Sequence, residues 1–145
     1  MNEFWQSSPK QRLVIWKQFR RHLINITQEE RLQAVVDFWK MAPMSHMSTD
    51  IYDSSKWLKP WDYIWHGEYD ENSIALGMAY TLHLEEYAQC KILLVQNTKK
   101  STISLVLSVD NMHILNYNYS EVTDIKKLED DGTVVLDIID VSTLT

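Results

Sequence analysis

One cysteine, Cys90, and five histidines, His22, His46, His66, His83 and His113, are the side chains of this 145-residue chain best suited to nucleophilic or metal chemistry. Their spacing matches no metal-ligand pattern. No phosphate loop, GxGxxG, HExxH, CxxC or GxSxG occurs. Cys90 falls at an expected helix-to-strand junction, not at a helix N-terminus where the dipole would favour a thiolate, so it reads as half-buried and inert. Glu85-Glu86 and Asp130-Asp131 fall at a helix end and in a turn, where solvation is the default. Met41, Met44, His46 and Met47 could be drawn as a soft-metal site, but clustered Met in a loop reads as packing. The expectation is no catalytic, cofactor or metal residue. A weaker alternative gathers Asp70, His66 and His83 around a helix start as an unrecognised hydrolase or acyltransferase site.

The elements that would position these groups are legible. Ser8-Pro9-Lys10-Gln11 is a capping box with Pro at the first helical position, and Leu13, Trp16, Phe19, Arg20 and Leu23 follow at helical spacing. The stem of Arg20 is expected along that stripe with its head in water. Thr27 to Glu30 is a second box, opening a helix that Pro43 stops. After a polar loop (42–56), Pro60 and Gly67 bracket a helix of two turns. Asp70 suits the N-cap of a helix over Ser73 to Leu84, apolar nearly all round and so buried. Gly77 in its middle implies close approach by another element. Runs 91–96, 101–109 and 113–119 read as an antiparallel meander, and EVTDIKKL and TVVLDII as a closing hairpin. The class is α+β, one domain over 1–145. A helical part (about 1–87) holds an N-terminal helical hairpin and the buried central helix, packed on a C-terminal antiparallel β-meander (about 88–145).

A buried helix followed by an antiparallel meander is the order in which papain-like and transglutaminase-like enzymes are built. They require Cys at the helix start, His on the second following strand and Asp or Asn on the next. Here Asp70 stands at the Cys position, Ile103 or Ser104 at the His position, and Asn116 at the orienting position. On this reading the site is degenerate.

The stretches VVDFWKMAP, WLKPWDYIWHGEYDENSIALGMAYTLHL and SVDNMHILNYNYSEV resemble a set of small, mostly uncharacterised proteins of T4-like tailed bacteriophages and cyanophages. The matching residues are Trp57, Pro60, Trp61, Tyr69, Leu115, Asn116 and Tyr117. The resemblance implies a degenerate transglutaminase-like or papain-like fold, with Asp70 departing from the Cys of that pattern.

Composition bounds the function classes. Net charge is −6, and residues 73–145 hold five Lys/Arg against ten Asp/Glu. This disfavours nucleic acid, which asks for a clustered basic face. No apolar run spans a membrane. Six Trp and seven Tyr suit both a core and an interface. The candidate interface is Trp57, Trp61 and Trp65 with the basic residues Lys10, Lys17 and Arg21. The expectation is therefore a non-enzymatic phage protein that binds another protein, a phage structural protein or a host protein, with self-association left open. It would reside in the host cytoplasm, the virion, or both, as a virion structural or assembly component. The alternatives are an effector that inhibits a host protein, and the hydrolase or acyltransferase above. No cofactor is expected.

Overall fold

The computed structural model describes residues 2–46, 48–118 and 120–145. Met47, of the Met-rich patch, and Tyr119, the last residue of the expected third strand, lie outside the described residues. Five helices precede the sheet: α1 (Asn2–Gln6), α2 (Pro9–His22), α3 (Gln28–Trp39), α4 (Pro60–His66) and α5 (Ile74–His83). Strands β1 (Cys90–Asn97), β2 (Thr102–Val109), β3 (His113–Asn118) and β4 (Glu121–Asp124) follow, then α6 (Ile125–Asp130) and β5 (Thr133–Asp140). The chain is α+β, as its pattern of elements implied.

Local chemistry sets most of these boundaries. Ser8 and Gln11 close one reciprocal capping box, Thr27 and Glu30 the other. Gly67 ends α4 in the left-handed region at φ 67°. Arg12 staples that end to α2, donating to the Ile64 carbonyl at 3.1 Å and the Trp65 carbonyl at 2.7 Å. α5 is buried on every side, and Gly77 meets the predicted close neighbour, the Trp39 ring of α3.

The sheet order is β4-β3-β2-β1-β5, with antiparallel pairings throughout. One face carries the large core under the helices. The other carries a small cluster of Leu93, Val95, Val106, Ile114 and Leu128, covered by α6.

This corrects the expected closing hairpin. EVTDIKKL is four residues of strand and then a helix. Asp124 caps that helix by accepting from the Lys127 N–H, and Leu128 turns onto the second face of the sheet. β4 and β5 therefore lie at opposite edges. Arg20 also departs from expectation: it is 3 % exposed, its guanidinium lying 4.2 Å from the Trp16 ring centroid and 3.4 Å from Glu85. Desolvation by this burial lowers its pKa, against the attraction of Glu85. Met41 and Met44 are exposed, so the loop they occupy is no packing plug.

Candidate functional site

Three elements converge where the sequence template set its triad: the start of α5, the first half of β2, and β3. Asp70 caps the helix. Its backbone N–H donates to the Ser73 hydroxyl at 2.9 Å, its carboxylate accepts from the Ser73 N–H at 2.7 Å, and its carbonyl accepts from the Ile74 N–H at 3.1 Å. The carboxylate also accepts from the Thr49 N–H. The positive end of α5 is thus matched by a carboxylate each of whose oxygens accepts one backbone N–H. Asp70 is a cap.

The next residues build the site. Asn72 Oδ1 accepts from the Leu105 N–H at 2.9 Å, tying the helix start to β2. Asn116 Nδ2 donates to the Glu71 carbonyl at 2.9 Å and the Leu105 carbonyl at 3.1 Å, tying both to β3. Asn116 does this from the left-handed region at φ 67°, where the register of β3 shifts. Asn tolerates that conformation better than most residues. The position expected to orient a histidine instead carries an amide clamp. Substituting Asn116 with Ala removes both hydrogen bonds and leaves a Cβ in left-handed backbone. The expected loss is about 2 kcal/mol of unfolding free energy in denaturant melts, with Asn116→Gly intermediate.

A cleft of about 570 Å³ opens beside this clamp. Trp39, Ile74, Met78 and Leu105 supply apolar lining; Lys40, Glu71, Asn72, Ile103, Ser104 and Asn116 supply the rest of its character, with Met44 at one side. The loop after α3 is held there by the Ser45 N–H, which donates to the Tyr69 carbonyl at 2.9 Å. Ser104 pairs with Val95, whose side chain belongs to the second face of the sheet. The pleat therefore turns Ser104 away from α5 and turns Ile103 toward it. The template's His position, on the helix side, is Ile103.

Thiol chemistry has no residues in this cleft. Cys90 is 2 % exposed at the start of β1, and burial, with Asp110 and Asp140 nearby, pushes its thiol up to about 12. None of the five histidines lines the cleft. The alternative constellation is not assembled either: Asp70 and His83 sit at opposite ends of α5, roughly 15 Å apart by its ten residues of rise. Trp61 and Trp65, four apart on α4, are half-exposed, and Trp57 donates its indole N–H to the Asp50 carbonyl at 2.7 Å. Trp61 packs edge-on against Trp16. Lys10, Lys17 and Arg21 are exposed on α2, away from the cleft lining. Glu71, Asn72 and Lys40 were not singled out from sequence. Locally the run Asp70 to Ser73 is the start of a helix capped by Asp70, and nothing in it reveals that Asn72 reaches β2.

No protein-family model and no curated protein matches the chain. Solved structures do. Calcium-bound LapG of Legionella pneumophila superimposes with a TM-score of 0.70 at 15 % identity, covering 96 % of this chain and 83 % of LapG. A second LapG structure gives 0.66 at 18 % identity, covering 92 % and 72 %. The fold is transglutaminase-like.

LapG carries the transglutaminase-like, papain-like cysteine-protease fold, and this likeness overturns the expectation of a non-enzymatic phage structural protein. The phage part of the resemblance finds no counterpart among these neighbours. At this identity the likeness carries the fold, and chemistry has to come from the residues of the chain itself. Among the described residues no three His, Cys, Asp or Glu side chains converge to hold a metal ion.

Proposed function

We propose that the protein is a hydrolase or acyltransferase whose reaction takes place in the cleft between the α5 start, β2 and β3, using oxygen rather than sulfur chemistry. The observation that carries the reading is the coincidence of this cleft with the helix-start and strand junction of a transglutaminase-like fold. Glu71 is the carboxylate of the lining and Lys40 the ammonium. Glu71 acts as general base: it takes a proton from water as the water oxygen attacks the substrate carbonyl carbon. It returns the proton to the leaving nitrogen or oxygen as the tetrahedral intermediate collapses. Asn72 has its Oδ1 committed to Leu105, which leaves its Nδ2 as a donor to the developing oxyanion.

Glu71→Gln tests this with little risk to the fold, since the Asn116 clamp holds Glu71 by its backbone carbonyl and the residue is exposed. Purified protein is incubated with unfolded, carboxymethylated casein and with p-nitrophenyl esters. New amino termini by mass spectrometry or released nitrophenol are expected, reduced by about 100-fold or more in Glu71→Gln. No turnover of either substrate, or equal turnover by the variant, overturns the reading.

A further inference from the structure

The stretch 9–25, α2 and the turn after it, holds five Lys/Arg and no Asp or Glu, in a chain of net charge −6. Arg12 and Arg20 are committed inward, to the Ile64 and Trp65 carbonyls and to Glu85. Lys10, Val14, Lys17 and Arg21 are exposed, and their spacing of three and four residues puts them on one face of the helix. Ile24 continues that face, 68 % exposed, and Glu3 of α1 borders it beside Lys10. The stretch 129–140, the end of α6 and β5, is the opposite: five Asp/Glu and no Lys or Arg. Lys127 holds Asp131 at 3.2 Å, and Lys91 lies across from Asp140. Glu129, Asp130 and Asp137 are exposed. Beside them Val134, Val135, Leu136 and Ile138 are 40 % to 58 % exposed.

We propose that the protein binds a second copy of itself, the basic apolar face of α2 in one copy packing on the acidic apolar face of β5 in the next. Each face sets exposed aliphatic side chains among charges of one sign, and the two signs are opposite. β5 presents roughly 300 Å² of apolar side chain, the size at which a monomer's largest patch is often functional. The lengths match: the 14 residues of α2 run about 21 Å and the 8 residues of β5 about 26 Å. The rival arrangement sets two β5 strands edge to edge, and this edge is blunted against it. Asp137 Oδ1 accepts from the Ile138 N–H at 2.9 Å, and the register with β1 shifts between Leu94 and Val95. That arrangement would also lay one acidic segment on another. The two faces point opposite ways. Val135 and Ile138 pair with Val95 and Leu93 of the second sheet face, whereas Trp16 joins α2 to α5 over the first. The contact is therefore heterologous, and each end of a pair keeps one face open for a further copy.

The test uses the full chain in sedimentation and, labelled with nitrogen-15, in amide spectra over a dilution series. Between about 10 µM and about 1 mM at low salt the weight-average mass is expected to rise to about twice the monomer or more. Salt at about 0.5 M weakens the association by about tenfold. Dilution should shift amides of α2 (Val14, Lys17, Arg21) and of β5 (Val135, Leu136, Ile138) together. Two charge-reversed variants, Lys17→Glu with Arg21→Glu and Asp130→Lys with Asp137→Lys, are each expected to stay monomeric. Their equimolar mixture associates again, because each supplies the charge that the other lacks, and this rescue shows that both variants are folded. A monomer throughout the range, shifts confined to β5 or to α2, or a mixture no heavier than its components overturns the proposal.

Discussion

Thr81→Val lowers the stability of the protein by roughly 3 kcal/mol, a fall in Tm of about 10 °C for a chain of this size. Thr81 is fully buried in α5, and its hydroxyl is the meeting point of three elements. It accepts from the indole N–H of Trp16 on α2 at 3.0 Å and of Trp39 on α3 at 3.0 Å, and donates to the Gly77 carbonyl at 2.7 Å. Both indoles are fully buried, so neither N–H finds water once the hydroxyl is gone. Valine keeps the shape and removes the acceptor, which leaves two buried donors at a cost of about 1–3 kcal/mol each. Thr81→Ser keeps the acceptor and loses one methyl, about 1 kcal/mol. Chemical denaturation of the two variants checks the claim. A Val variant as stable as the Ser variant would mean that the indoles do not depend on this oxygen.

Gly77→Ala is expected to destabilise by about 2 kcal/mol or more, although alanine is intrinsically the better helix residue by about 1 kcal/mol. A Cβ at position 77 would lie 2.7 Å from three atoms of the Trp39 ring, closer than real contacts allow. The ring has nowhere to move. It is fully buried, packed against Phe38, Tyr63 and Tyr69, and pinned by its bond to Thr81. A smaller side chain at position 39 should relieve the clash, so Gly77→Ala in a Trp39→Leu background costs less than in the wild type. Additive losses in that double-mutant cycle would place the cost elsewhere than in the ring contact.

These two substitutions also separate what is local in this protein from what is not. Both capping boxes, the Pro60 and Gly67 brackets of α4, and the Asp70 cap close their hydrogen bonds within three or four residues. Such features depend on neighbouring residues alone, so the sequence specifies them. The buried nature of α5 and the close approach at Gly77 were also legible, because an all-apolar helix with a central glycine has few other uses. Of the three positions that the helix-then-meander order singled out, Ile103 and Asn116 line the cleft, while Asp70 lies outside its lining.

The sequence by itself determined helices α2 to α5, strands β1 to β3 and the α+β class. Only the tertiary structure decided how the polar groups at the candidate site are joined. Asn116 reaches Glu71 across 45 residues, Asn72 reaches Leu105 across 33, and Trp16 reaches Thr81 across 65. The same holds for β5, which crosses beneath the sheet through α6 to pair with β1 rather than with its neighbour in sequence. The physical reason is common to all of these. Turn and cap preferences are set by backbone geometry over one turn. Which amide meets which carbonyl across a fold depends on how burying the apolar faces of α5 and the sheet brings distant segments together, and no single segment encodes that.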